Sequence, residues 1–234
     1  MREASVRHQR TSVGLDVHAR SVVAAALDGV TGEISRARLT PAHHDVLGWV
    51  AALPGPVAVA YEAGPTGFGL ARFLTAGGVG CRVAAPSKLQ RPAGDRVKTD
   101  ARDALHLAKL VHLGEIVAVT VPGVEQEAAR DLVRARDDVR GDLMSARHRV
   151  SKLLLRQGIV YSGGKAWTGA HDRWLRQQRF EQRGLQLAFE TAYDTMLATV
   201  DRRDRLDTEI TAIAADSEFT PVVRRLGACA GSPR

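Results

Sequence analysis

The sequence predicts an α/β protein in which a mixed β-sheet with flanking helices is followed by an α-helical coiled-coil hairpin. Two observations support this fold class. Up to about residue 120, short β-rich runs alternate with segments whose apolar residues recur at helical spacing. Beyond that point only the helical spacing continues. We therefore expect a flexible basic arm over residues 1–10, a sheet domain over 11–120, a helical region over 121–218 and a tail over 219–234.

The sheet domain is expected to begin with a three-stranded antiparallel meander. Its first two runs are separated by a turn at Ala19-Arg20, and Gly32 marks the turn before the third. In chain order, strands are predicted at residues 11–18, 21–28, 33–39, 56–61 and 78–86, and helices at residues 41–53, at residues 66–76 and from residue 98 onward. A meander followed by this alternation is the order of an RNase H-like domain, a mixed sheet with helices on its faces.

The helical region is predicted to contain two long helices that run antiparallel. In the first, Leu143, Ala146, Val150 and Leu153 recur in alternating steps of three and four residues, which is the seam of a coiled coil. The second stretch, residues 173–215, returns along the first through an apolar seam of its own. Pairing within one chain and pairing between two chains both fit this pattern, and we expect a homo-oligomer through the coiled coil.

The formal net charge of +7 indicates a polyanionic partner, and nucleic acid is the first candidate. Basic residues recur at the exposed positions of the first long helix, where Arg140, Arg147, Lys152 and Arg156 are expected to contact phosphates. Neutralisation by the more acidic second helix explains the same cluster equally well.

Cysteine usage and the N-terminal residues bear on the compartment. Cys81 and Cys229 are far apart and lack the C-x-x-C spacing, which argues against a disulfide framework or a zinc finger and fits a reducing cytoplasm. The first ten residues lack an apolar core, so neither a signal peptide nor a membrane span is predicted. Trp49, Trp167 and Trp174 are expected to pack within the fold rather than to stack on bases.

Four acidic residues stand where carboxylates can converge. Asp16 lies inside the first strand, where a buried charge is costly unless it is paired or bound to a metal. Glu62 follows the strand at residues 56–61, at the edge where open α/β sheets bind ligands. Asp100 and Asp103 lie three residues apart at a helix start, so they project from nearly the same face. A solvated first turn explains the last pair alone, whereas all four together predict a site for two Mg²⁺ or Mn²⁺ ions.

Basic residues immediately precede the two aspartates of the predicted helix. Lys88, Arg91, Arg96 and Lys98 are expected to hold the backbone of a nucleic-acid substrate beside the acids. A surface loop at this position is often basic without any such role. The metal site and the basic loop together favour an enzyme that acts on phosphodiesters.

Several motifs resemble those of IS110-type transposases. They are G-L-D-V-H at residues 14–18, Y-E-A-G-P-T-G at 61–67, A-P-S-K at 85–88 and K-T-D-A-R-D-A at 98–104, with further matches at 127–138, 148–158 and 163–168. The resemblance covers about residues 11–226 and implies a RuvC-like DEDD domain joined to a coiled coil. Position by position, it implies that Asp16, Glu62, Asp100 and Asp103 are the catalytic, metal-binding acids. It further implies DNA transposition directed by a structured guide RNA.

One feature of that family is not recognisable in this sequence. Family members continue into a second conserved domain with a nucleophilic serine, and residues 227–234 do not resemble its start. We therefore expect a truncated copy that binds Mg²⁺ and nucleic acid but does not recombine DNA alone. The resemblance implies an active site that joins the acids of one subunit to the serine of another, so a full-length copy could complement this chain. A RuvC-like nuclease that uses metal-activated water and a non-catalytic nucleic-acid-binding remnant remain alternatives.

Overall fold

The computed structural model of the chain describes residues 9–89 and 99–230, the last four by their backbone alone. Its contacts divide the chain into two compact units, residues 1–122 and 123–234, which we call the sheet unit and the helical unit. Most of the predicted basic arm lies outside the described residues, as do Arg91, Arg96 and Lys98. None of the helices in the described ranges is both long enough and apolar enough to cross a bilayer.

Five strands of the sheet unit form one mixed sheet. In chain order they are β1 (Thr11–Val17), β2 (Val22–Asp28), β3 (Ile34–Leu39), β4 (Val57–Glu62) and β5 (Gly80–Ala84). The order across the sheet is β3-β2-β1-β4-β5, in which β1, β2 and β3 pair antiparallel and β1, β4 and β5 run parallel. The predicted mixed sheet of the RNase H-like type is confirmed. Its topology brings the carboxyl ends of three parallel strands to one edge.

The two faces of the sheet carry side chains of different size. Three helices cover them: α1 (His43–Ala51), α2 (Gly69–Ala76) and α3 (Asp100–Leu113). On the first face, Leu15 and Val59 pack against Leu74 of α2, and all three are fully buried. The opposite face, against α3, carries alanines such as Ala58 and Ala60. Small residues on this face allow the backbone of α3 to approach the strands closely.

Most element boundaries in the sheet unit differ from the prediction by one to three residues, and two of these differences lie near the end of β4. Helix α2 begins at Gly69 rather than at residue 66, because Gly67 has a φ of +71° and a left-handed residue does not continue into an α-helix. The hydroxyl of Tyr61 donates to the carbonyl of Gly67 at 3.0 Å and fixes this turn beside the end of β4. Glu62, expected just beyond the strand, is its last residue and pairs with Ala84.

The helical unit is built on two long helices. Its elements are α4 (Val124–Arg156), α5 (Gly169–Leu175), α6 (Arg183–Ala215) and α7 (Thr220–Ala230). In the first half of α4, Arg136 forms a two-point ion pair with Asp207, late in α6, at 2.7 and 3.2 Å. Further along α4, Val150 packs in one cluster with Phe189, early in α6. The two helices therefore run antiparallel within one chain.

The second helical stretch, predicted from about Arg173 to Ala215, is interrupted. Between α5 and α6, the side-chain amide of Gln178 donates to the backbone carbonyl of Trp174 at 2.8 Å. The backbone N–H of Phe180 donates to the side chain of Gln186 at 2.9 Å. These bonds satisfy backbone groups by side chains instead of by helical partners, which stabilises a break where the sequence predicts a continuous helix. Helix α7 occupies most of the segment predicted to be a tail.

Candidate metal centre

Gly14, on β1, sets the distance between the sheet and α3. A Cβ atom at this position would lie 2.1 Å from the carbonyl oxygen of Ala104 and 2.5 Å from the amide nitrogen of Ala108. These separations are far inside van der Waals contact, so any side chain at position 14 would push the helix away. Glycine therefore lets α3 lie directly on the backbone of β1.

Asp16 shares a face with Gly14, because side chains two residues apart on a strand point to the same side. That is the face covered by α3. Asp100 is the first residue of α3, one turn before the Ala104 contact with Gly14. The close approach at Gly14 thus places the start of α3 beside the end of β1.

Asp16, His18 and Asp100 form a group of three potential metal ligands. The Nε2 atom of His18 lies 3.1 Å from Oδ2 of Asp16 and 3.8 Å from Oδ1 of Asp100. One ligand atom from each of the three residues lies within 4.8 Å of the other two. The Asp16 side chain is 21% exposed and the other two are about half exposed, at 51% and 50%. Solvent and substrate can therefore reach the group.

Glu62 and Asp103, the other two predicted ligands, lie near this group without belonging to it. In the parallel register of β1 and β4, Leu15 pairs with Tyr61. Asp16 and Glu62 follow these partners, so their side chains share the α3 face at adjacent strand ends. Asp103 is half buried in the first turn of α3, three residues after Asp100. Among the described residues, only Asp16, His18 and Asp100 bring their ligand atoms within reach of one ion.

The donor set suits a divalent cation. Carboxylate oxygens favour Mg²⁺, Ca²⁺ and Mn²⁺, whereas an imidazole nitrogen extends the range to Zn²⁺ and Fe²⁺. Two carboxylates beside one another repel, and a cation between them removes that repulsion. The N-terminus of α3 adds the positive end of its helix dipole, which interacts favourably with the negative charges of the first turn.

His18 was not among the ligands predicted from the sequence. It lies two residues beyond Asp16, so strand alternation extended by one residue places both side chains on the same face. That spacing was the available signal. The backbone N–H of His18 donates to the carbonyl of Ser21 at 3.0 Å, which holds the residue in the turn between β1 and β2.

The basic residues expected to bind nucleic acid have different environments. Lys88 is exposed in a short 3₁₀ turn, Pro86–Lys88, after β5. Arg140, Lys152 and Arg156 are exposed along α4. Arg147, predicted at an exposed position, is instead half buried, with its guanidinium 5.2 Å from the centre of the Trp167 ring. The prediction that Arg147 is exposed is therefore wrong, because its side chain packs against the Trp167 ring.

Comparison with known proteins gives consistent matches. The model of the IS110-type DEDD transposase family, described as a transposase, matches residues 13–158. The putative transposase y4qE of Sinorhizobium fredii is 45% identical over 138 residues, which are 59% of this chain and 35% of that protein. The transposase for insertion sequence element IS1533 of Leptospira borgpetersenii is 33% identical over 223 residues, which are 90% of this chain and 63% of that protein. The chain thus spans less than two thirds of the length of either relative.

Proposed function

Because the chain belongs to the IS110-type DEDD transposase family, we propose that its sheet unit holds the divalent cations for DNA strand cleavage and exchange in transposition. Asp16 and Asp100 are the first ligands, with Glu62 and Asp103 completing the acidic set. The observation that carries this proposal is the convergence of Asp16, His18 and Asp100 at the edge where the parallel strands end. Mg²⁺ or Mn²⁺ is the proposed ion, since most of these donors are carboxylate oxygens.

The chemistry follows from the placement of the acids. Divalent cations held here would supply charge stabilisation for the attacking and leaving oxygens of a phosphodiester. Asp16 and Glu62, at the ends of adjacent strands, would fix one side of the site, and Asp100 on α3 would fix the other. His18 would orient the Asp16 carboxylate through its 3.1 Å contact. The exposure of Asp100 leaves the site open to a nucleic-acid backbone.

The proposed partners are DNA, a structured guide RNA and a second copy of the chain, and the proposed location is the cytoplasm. Exposed cations support nucleic-acid binding: Lys88 in the sheet unit, and Arg140, Lys152 and Arg156 in the helical unit. Each cation that contacts a phosphate should steepen the dependence of the affinity on salt. The guide RNA and the homo-oligomer rest on the family alone.

Complementation tests the proposal directly. A full-length family member that carries asparagine at the position aligned with Asp16 is mixed with this chain, and strand exchange between two DNA substrates is measured with Mg²⁺. We expect exchange to be restored by the wild-type chain and not by its Asp16→Asn or Asp100→Asn variants. Restoration by the Asp28→Asn variant serves as the control. A wild-type chain that restores nothing, although both proteins are folded and bind DNA, would overturn the proposal.

The same preparation distinguishes the two alternative functions. Metal-dependent nicking of branched DNA by this chain alone, lost in Glu62→Gln, would favour a RuvC-like nuclease that activates water. Nucleic-acid binding that is unchanged by EDTA, with no cleavage and no complementation, would favour a non-catalytic nucleic-acid-binding protein.

A further inference from the structure

A pocket of ≈ 350 Å³ lies within the helical unit. It opens between the two long helices, α4 and α6, and the segment that leads into α5. Its volume lies at the lower end of the range for small-molecule sites. Its wall combines cationic, aromatic and aliphatic side chains, chiefly Arg147, Trp167, His171, Met196, Val200 and Arg203.

The aromatic wall is held in one conformation. Trp167 has a φ of +63°, which is an uncommon conformation for a bulky residue. Its backbone N–H donates to Nδ1 of His171 at 3.1 Å, and the two rings meet edge to face with centroids 4.9 Å apart. His171 is buried, and burial lowers the pKa of its imidazole, so the neutral ring accepts this hydrogen bond at neutral pH. A strained backbone that is held by specific contacts is typical of functional sites.

The pocket has more positive than negative charge. Among the described residues, no carboxylate forms an ion pair with Arg147, and its Nε atom is buried without a hydrogen-bond partner. Burial lowers the pKa of Arg147, and the charge of Arg203 lowers it further. Asp172 also lines the pocket, but it is already bonded to the hydroxyl of Tyr193 and to Arg176. Arg203 is paired with Asp204, its neighbour in sequence.

We propose that this pocket binds one unpaired nucleotide of a nucleic-acid strand, with its phosphate between Arg147 and Arg203. A phosphate there would offset the repulsion between the two guanidinium groups and satisfy the buried Nε donor of Arg147. Met196 and Val200 would contact the apolar surface of the sugar and base. The inference rests on the proposed function, which supplies the nucleic-acid ligand, and it assigns a second contact site outside the metal centre.

Binding of single strands tests the pocket without any metal. Fluorescein-labelled 20-nucleotide strands of the same sequence, one of DNA and one of RNA, are titrated with the chain in EDTA and followed by anisotropy. We expect Arg147→Met and Arg203→Met to weaken binding about tenfold each for at least one of the strands. The strand that is weakened identifies whether DNA or RNA supplies the nucleotide.

Arg205→Met is the matched control, because Arg205 is exposed on the same helix as Arg203, two residues further on. It removes the same charge without touching the pocket, and we expect a change of about twofold or less. Equal effects of all three substitutions on both strands would show general charge attraction and would overturn the proposal.

A second measurement uses the unaltered chain and so does not depend on the folding of a variant. The strands are made with 5-iodouridine in place of uridine or thymidine, irradiated in the complex, and the crosslinked peptide is identified by mass spectrometry. Crosslinks to Trp167 or Met196 are expected, and crosslinks confined to other parts of the chain would contradict the proposal. The Asp16→Asn variant should give the same crosslinks, since a failure of the metal centre leaves the pocket intact.

Discussion

Asp16 and Asp28 lie at opposite ends of the same antiparallel pair of strands, and their surroundings differ sharply. In the register of β1 and β2, Asp28 pairs with Thr11 at the start of β1, whereas Asp16 lies near its end. Asp28 accepts hydrogen bonds from the backbone N–H of Val30 at 2.8 Å and from the guanidinium of Arg10 at 3.1 Å. These bonds lower the pKa of Asp28, with the backbone bond as the largest cause and Arg10 next.

Asp16 has a different set of neighbours. Among the described residues, its neighbours are His18 at 3.1 Å and a second carboxylate, that of Asp100, in the same small group. The Asp28 side chain is 12% exposed and that of Asp16 is 21% exposed, so burial does not distinguish them. The difference is that Asp28 forms an ion pair with Arg10, whereas Asp16 shares its ligand group with a second acid, Asp100. A carboxylate with this second arrangement is the one expected to bind an external cation, because carboxylate oxygens are the preferred ligands of Mg²⁺ and Mn²⁺.

The largest expected effect is on the Mn²⁺ affinity, which should depend on Asp16 and not on Asp28. Asp16→Asn should weaken Mn²⁺ binding at least about 100-fold, because it removes a charged ligand and not only an outer hydrogen bond. Asp28→Asn should leave the affinity unchanged. Isothermal titration calorimetry with Mn²⁺ measures both. Equal affinities in the two variants would show that the aspartates of β1 and β2 are alike in function.

The next effect concerns the glycine that brings the two acids together. Gly14→Ala should destabilise the chain by about 2 to 3 kcal/mol, because its Cβ would meet the backbone of α3. The displaced helix should also lose metal affinity, since Asp100 moves with it. Chemical denaturation gives the free energy of unfolding.

Gly48→Ala is the control for this substitution. Gly48 lies in α1, and a Cβ atom there meets nothing within 4 Å. Alanine at this position should stabilise the chain by up to about 1 kcal/mol through helix propensity. If Gly14→Ala has as little effect on stability as Gly48→Ala, the close contact between β1 and α3 is not present in solution.

A smaller effect is expected from His18. His18→Gln should weaken Mn²⁺ binding about tenfold, as is found when a ligand or its orienting partner is replaced. His44→Gln is the matched control: His44 also contacts one carboxylate, that of Asp45 at 3.1 Å, but within the described part of the chain it belongs to no group of three metal ligands. Identical titrations for the two variants would exclude His18 from the metal centre.

The smallest effect is a pH dependence at the opposite end of the strand pair. Because the folded-state pKa of Asp28 lies below its ordinary value of 3.8, its contribution to stability is present above that value. The contribution is lost as the pH falls through the lower, folded-state pKa. Asp28→Asn should therefore flatten the fall in unfolding free energy below about pH 4. Identical acid profiles for wild type and variant would show that Arg10 and Val30 do not stabilise the charged carboxylate.

The four acids of the candidate metal centre could be predicted from the sequence because their signals are local. An aspartate inside a β-rich run and a pair of aspartates at a helix start are visible from spacing alone, as is a glutamate beside a Gly-Pro turn. The strands and the first helices follow from apolar periodicity in the same way. His18 was missed although the predicted strand at residues 11–18 includes it on the face of Asp16, because the predicted ligand set contained carboxylates alone.

The features that were missed depend on contacts between distant residues. The break between α5 and α6 relies on Gln186 reaching back to Phe180, and the inward turn of Arg147 relies on Trp167, which a separate loop places over α4. Neither contact leaves a periodic pattern in the sequence. Likewise, the need for glycine at position 14 could not be predicted, because it arises from the contact between β1 and α3.

The most direct test of the metal centre is an anomalous diffraction map from crystals of the chain grown with Mn²⁺. We predict a peak between Asp16 and Asp100, with carboxylate oxygens at about 2.1 Å from the ion. Glu62 or Asp103 at a similar distance from this ion or from a second one would complete the proposed site. Ordered side chains of Asp16 and Asp100 with no anomalous peak between them, at a saturating Mn²⁺ concentration, would contradict the account.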